Sequence, residues 1–194
     1  MKDINIGFIG LGNLGKNLAN SILEAGYNVY INDLIQKNGN TLIKKGAIWC
    51  DKIYELVNNS SIIFTCLPNL KAISLVIESK QGIINFINSN HLIIECSTTD
   101  EADSLRLSKL IESKSANYLE APLTGGEWRS KNGNISVPIY ANVNGDTAKY
   151  ILNHSESELL FVGKLEKSDW DDIKSNIPKK MCNLIKYDHM KTRI

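Results

Sequence analysis

The chain has 194 residues, 43% hydrophobic and 22% charged, and its 22 Lys+Arg against 21 Asp+Glu leave a formal net charge of +1. This composition excludes a disordered chain, and the length suits one domain with a small appendage rather than two full domains. The even charge balance leaves no electrostatic footprint for nucleic acid or a membrane surface, and no apolar run in the sequence approaches the ~20 residues of a spanning helix.

Met1-Lys2-Asp3 leads directly into a strand-like segment rather than a signal-peptide core. The four cysteines, Cys50, Cys66, Cys96 and Cys182, have neither metal-ligand nor C-x-x-C spacing. A cytoplasmic protein with reduced thiols is the expectation.

Residues 4–9 form a short apolar strand that stops at Gly10, and Leu14, Leu18, Ile22 and Ala25 recur at helical spacing over 13–25 until Gly26 ends them. Residues 27–31 are β-branched and aromatic, a second strand ending at Asn32-Asp33. A helix over about 35–45 ends near Gly46, and 47–49 read as a short third strand. Asp51 is placed to N-cap a short helix over 51–58. The apolar run 61–67, stopped by Pro68, has the all-round hydrophobicity of a parallel strand covered on both faces. A helix follows over 70–78, then a buried strand over 91–96, Ser97-Thr98-Thr99-Asp100 as caps, a helix over 101–114 and a strand over 117–121 ending at Pro122. This alternation predicts a parallel sheet with helices on both faces. Past Pro122 the pattern loosens into a glycine-bearing loop (124–134), a strand-like stretch (135–143), a short helix, a strand at 159–162 and a tail helix within 169–187 that Pro178 breaks or kinks.

Gly10-Leu11-Gly12-Asn13-Leu14-Gly15 is G-x-G-x-x-G set after a strand and before a helix. In that setting the first glycine makes a tight turn, the second admits a pyrophosphate to the backbone, and the third lets the helix pack on the strand with its N-terminus at the phosphates. Asp33 ends the second strand 18 residues after Gly15, where an acid can bond the adenine ribose hydroxyls. The alternative is a ligand-free glycine turn with a surface aspartate. Asp33 would repel a 2′-phosphate, and Leu34, Ile35 and Gln36 offer no arginine to bind one, so NAD is expected rather than NADP.

These segments resemble the β-hydroxyacid dehydrogenase family, which includes 3-hydroxyisobutyrate dehydrogenase and the cofactor domain of 6-phosphogluconate dehydrogenase. Residues 6–15 resemble the family's opening signature, Cys66-Leu67-Pro68-Asn69 its loop beside the cofactor, and Cys96-Ser97-Thr98-Thr99 the loop whose threonine lies near the nicotinamide. Glu120-Ala121-Pro122-Leu123-Thr124-Gly125-Gly126 resembles the substrate loop, in which a hydroxyl and two glycine amides hold the substrate carboxylate. The likeness covers about residues 4–137 and implies a Rossmann-type doubly wound α/β domain, placed here at 1–163, that moves a hydride between NAD and a small β-hydroxy acid. It implies cofactor contacts at Gly10, Leu11, Gly12, Asn13, Leu14, Gly15, Asp33, Leu67, Pro68 and Thr98, and substrate contacts at Thr124, Gly125 and Gly126. An ordinary turn at 124–126, and plain strand-end and helix-cap roles for Pro68 and Thr98, are the alternatives.

The resemblance also implies a lysine acting as acid/base on a helix after this domain, an asparagine one turn later, and a helical second domain. Lys174 is the nearest candidate, although Pro178 stands where the asparagine belongs; a solvated helix lysine is the alternative. Residues 164–194 read as a short divergent tail in place of the helical domain. Three readings follow: an NAD-dependent oxidoreductase, a cofactor-binding module without turnover, and half of a split enzyme completed by a helical partner. An apolar surface left by the missing domain predicts self-association or such a partner.

Overall fold

Short apolar segments bounded by glycine, asparagine or proline pair side by side into one sheet. The computed structural model describes residues 4–123 and 126–131. Six strands, β1 (Asn5–Ile9), β2 (Asn28–Asn32), β3 (Ile48–Trp49), β4 (Ile62–Thr65), β5 (Leu92–Glu95) and β6 (Asn117–Glu120), stand in the order β3-β2-β1-β4-β5-β6. Every pairing is parallel. The chain winds outward from β1 to β3, returns to the other side of β1, and winds outward again to β6. This is the doubly wound Rossmann topology, and its direction reverses between β1 and β4.

The strands alternate sides, and that alternation divides the core in two. Phe8, Val29 and Ile31 pack with Ala19 of α1 (Gly15–Glu24) and Leu42 of α2 (Asn40–Lys44). Ile9, Ile63 and Ile93 pack on the opposite face against α3 (Ile53–Asn59), α4 (Leu70–Glu78) and α5 (Glu101–Glu112). Phe8 stacks on Phe64 with ring centroids 5.7 Å apart, which locks β1 to β4 beside the reversal. Each fully buried side chain of this kind contributes about 1.5–3 kcal/mol through removal from water.

The expected alternation of strand and helix is present; the departures lie at element ends and in the loop expected over 124–134, where residues 126–131 are helical. The helix expected over 35–45 is a 3-10 turn, Gln36–Gly39, followed by α2. Gly39 packs where a Cβ would lie 3.1 Å from Ile31 and the Trp49 ring, so this stretch hugs the sheet instead of forming a continuous helix. Asp51 does not cap α3. It accepts a hydrogen bond from Trp49 Nε1 at 2.9 Å, and Lys52 is the capping residue, its backbone N–H donating to Glu55 Oε2 at 3.2 Å. Of the four residues 97–100, only Asp100 caps α5, accepting from Asp103 N at 2.9 Å. Among the described residues no helix is long and apolar enough to cross a membrane. The strands and helices expected past residue 134, the boundary at 163, Cys182, Lys174 and Pro178 lie outside the described residues.

Candidate functional site

In an open parallel sheet the loops at the carboxyl ends of the strands diverge where the winding reverses and leave a crevice between them. The turn after β1 opens there. Gly10 has φ of +96°, a conformation that side chains resist, and a Cβ on it would run into the Cys66 carbonyl oxygen. A Cβ on Gly15 would strike the Gly10 carbonyl oxygen, so α1 starts in direct contact with the turn. Gly12 differs from both: nothing lies within 4 Å of where its Cβ would be.

α1 has no side-chain cap, because Leu14 occupies the cap position with helical backbone angles and no acceptor. Lys16 N and Asn17 N of its first turn donate to the Gly12 and Leu14 carbonyls, and the positive end of its dipole is left for an anion. Leu11 is buried, while Gly12 and Asn13 are exposed.

Asp33 does more than end β2. Its Oδ2 accepts from Leu11 N at 2.6 Å, and its Oδ1 accepts from Ile35 N at 2.7 Å and Asn38 Nδ2 at 3.1 Å. The carboxylate thus clamps the glycine turn to the end of β2, and Oδ2 keeps a lone pair for a further hydroxyl. Leu34 beside it is 97% exposed. The glycine cradle, the uncapped helix and the oriented acid fit a dinucleotide: pyrophosphate at Gly12 and α1, ribose hydroxyls at Asp33.

Register brings the next loops alongside. Ile9 pairs with Thr65 and Thr65 with Glu95, so the loops after β1, β4 and β5 leave from adjacent strand ends. Pro68 and Thr98 are exposed there, and Leu67 is half-buried. Thr124 and Gly125 lie outside the described residues; Gly126 opens α6 (Gly126–Lys131), held to α1 by Asn17 Nδ2 donating to Ser130 Oγ at 3.0 Å. Glu120 is occupied within the protein, accepting from Thr99 Oγ1 at 3.0 Å and Ser104 Oγ at 2.6 Å. His91 sits at the opposite, amino end of β5, with Nε2 3.3 Å from the Val57 carbonyl.

Sequence reading missed a polar network at this end. Glu95 is wholly buried; its Oε2 accepts from Thr65 Oγ1 and its Oε1 from Ser97 N, each at 2.8 Å. The signal was present, an acid closing an otherwise apolar strand. Burial pushes the Glu95 carboxyl up from the ordinary range, against hydrogen bonds from Ser97 and Thr65 that lower it. Burial also pushes the Cys66 thiol up to about 11, which leaves it protonated and a poor nucleophile near neutral pH.

A group that holds its proton more tightly folded than unfolded contributes stability that is complete below its unfolded pKa, about 4.3 for Glu, and lost as pH rises through the folded value. The stability of the wild type relative to Glu95→Gln is therefore expected to decline with rising pH in urea denaturation. A difference constant with pH contradicts this placement of Glu95.

Residues 5–150 match the family profile described as the NAD binding domain of 6-phosphogluconate dehydrogenase. The chain is 31% identical over 141 residues to 2-(hydroxymethyl)glutarate dehydrogenase of Eubacterium barkeri, a match covering 73% of this chain and 47% of that protein. It therefore spans about half the length of that curated relative. Among solved structures, Psf3 in complex with NADP+ and 2-OPP superposes with a TM-score of 0.71 at 22% identity, covering 75% of this chain and 51% of the other. An imine reductase V8 variant from Myxococcus stipitatus, in complex with NAD+, gives 0.69 at 16% identity, covering 79% and 52%. At these identities the structural likeness is one of fold.

Proposed function

This chain belongs to the β-hydroxyacid dehydrogenase family through a domain that binds NAD(P), and on that premise we propose that it serves hydride transfer between NAD and a small β-hydroxy acid. The observation that carries the reading is the glycine turn: Gly10 and Gly15 are closed against backbone, and Gly12 alone of the three faces open space at an uncapped helix end. Gly10 to Gly15 cradle the pyrophosphate, Asp33 takes the adenine ribose, and Leu67, Pro68 and Thr98 border the nicotinamide. When bound, the cofactor supplies a two-electron hydride donor or acceptor.

NAD is the cofactor in this reading. A 2′-phosphate would meet the Asp33 carboxylate, and Leu34 and Ile35 beside it bring no positive charge. Thr124, Gly125 and Gly126 hold the substrate carboxylate by a hydroxyl and unobstructed amides. Lys174 gives or takes the proton of the substrate oxygen as the hydride moves. Residues 1–163 form the cofactor domain and 164–194 the segment that carries Lys174. The described cysteines are free thiols, which supports placement in the reducing cytoplasm.

A second reading draws on the 47% of the relative's length that the match covers. There the chain is a cofactor-binding module, or half an enzyme whose helical part comes from a partner or a second copy of the chain. NADH formation from NAD with a panel of short β-hydroxy acids separates the two. Turnover that Lys174→Ala lowers by about 10²-fold or more supports the first reading. Binding of NADH without turnover supports the second.

A further inference from the structure

β5 reads Leu92-Ile93-Ile94-Glu95, and its last residue is charged in type yet as buried as Ile93. A carboxyl enters such a place at a large desolvation cost unless its oxygens are bonded. Both are. Thr65 Oγ1, at the end of β4, and Ser97 N, at the start of the next loop, each lie 2.8 Å from one of them. The chain of bonds continues, because Ser97 Oγ accepts from Leu67 N at 2.7 Å. One buried carboxyl thus sets Ser97, and Ser97 anchors the first residue of the loop that borders the nicotinamide end. The sequence separations of 30 residues in these bonds mean that no local turn fixes Leu67; the network does.

We propose that Glu95 is a positioning residue which, through Ser97, holds the Leu67-Pro68-Asn69 segment in the conformation that receives the cofactor. This rests on the dinucleotide reading of the crevice. The titratable groups around Glu95 are Glu120 from β6, the thiols of Cys66 and Cys96, and the Tyr118 hydroxyl, all of them acidic or neutral. With no base among these neighbours, the site disfavours the charged form, and the bonds that Glu95 accepts from Thr65 Oγ1 and Ser97 N offset its burial. Glutamine keeps a carbonyl oxygen for Ser97 N, while the Thr65 hydroxyl turns to accept from its amide N–H. Leucine abolishes both bonds, and Ser97→Ala removes the hydroxyl that bonds Leu67 N and Glu95 while the bond from Ser97 N to Glu95 stays.

The test is amide hydrogen exchange of the full chain over 66–70, with NADH titrations at several pH values. Wild type and Glu95→Gln are expected to protect Leu67 equally. Glu95→Leu and Ser97→Ala are expected to exchange there at least about tenfold faster, with β1 and α1 unchanged, and to bind NADH about 3–10-fold more weakly. NADH affinity of the wild type should weaken as pH rises and Glu95 charges beside Glu120, while that of Glu95→Gln stays flat. Unchanged exchange at Leu67 in Ser97→Ala overturns the proposal, and that variant keeps the test intact if Glu95→Leu fails to fold. Glutamine behaving like leucine also overturns it. Exchange that responds as stated in a wild type that does not bind NADH sustains the positioning role and removes the dinucleotide reading instead.

Discussion

Gly12→Ala is expected to cut NADH affinity by about 10²-fold while leaving the fold as stable as the wild type. The added methyl meets nothing in the protein, since no atom lies within 4 Å of its position. A residue outside special features of this kind changes stability by no more than about 0.5 kcal/mol, and alanine restricts the unfolded chain more than glycine does. In the proposed binding mode the methyl occupies the side from which the pyrophosphate approaches the start of α1. Displacing a phosphate by one methyl forfeits charge-assisted hydrogen bonds worth about 1.5–3 kcal/mol, and about 2.8 kcal/mol is a hundredfold in affinity. Gly15→Ala is the control with the opposite signature. Its methyl runs into the Gly10 carbonyl oxygen, a backbone atom that cannot swing aside. A destabilisation of about 3 kcal/mol or more is expected by urea denaturation. Equal stability losses in the two variants would contradict the assignment of Gly12 to the ligand and Gly15 to packing.

The second large effect concerns the choice of cofactor. Asp33→Ala combined with Leu34→Arg is expected to shift the ratio of NADPH to NADH affinity by about 10²-fold or more. Removing the carboxylate loses a charge-assisted bond to the ribose, about 1.5–3 kcal/mol, and an arginine gains a similar amount from a 2′-phosphate. Leu34 is 97% exposed, so the arginine displaces no packing. The change also has a structural cost, because Leu11 N loses its acceptor at 2.6 Å, about 1–3 kcal/mol for a donor left unsatisfied. Fluorescence titrations with both nucleotides, beside a denaturation curve, measure the two contributions separately. An unaltered ratio would mean that Asp33 serves only the glycine turn.

Much of the cofactor end was legible in the sequence because its signals are local. Gly10, Gly12 and Gly15 sit in one turn between an apolar strand and a helix at recognisable spacing, and Asp33 ends the next strand. The strand-like runs ending at Gly10, Pro68 and Pro122 became β1, β4 and β6, and the run before Pro68 is the most apolar of the three, as a doubly covered strand allows. What escaped depends on register. Thr65 and Glu95 meet only because β4 pairs with β5, and Leu67 reaches Ser97 by the same pairing. Asp33 bonding Leu11 spans 22 residues and follows from β1 lying beside β2. Helix ends were misplaced where a side chain had two uses: Asp51 could cap α3 or bond Trp49, and the spacing did not choose between them. Thr124, Gly125 and Lys174 lie outside the described residues.

Direct titration of the folded wild-type chain with NADH, with NADPH in parallel, tests the central claim. Saturable binding of NADH, tighter than that of NADPH and lost in Gly12→Ala, is the result this account predicts. A folded chain that binds neither nucleotide, or binds NADH equally well with alanine at position 12, would contradict it.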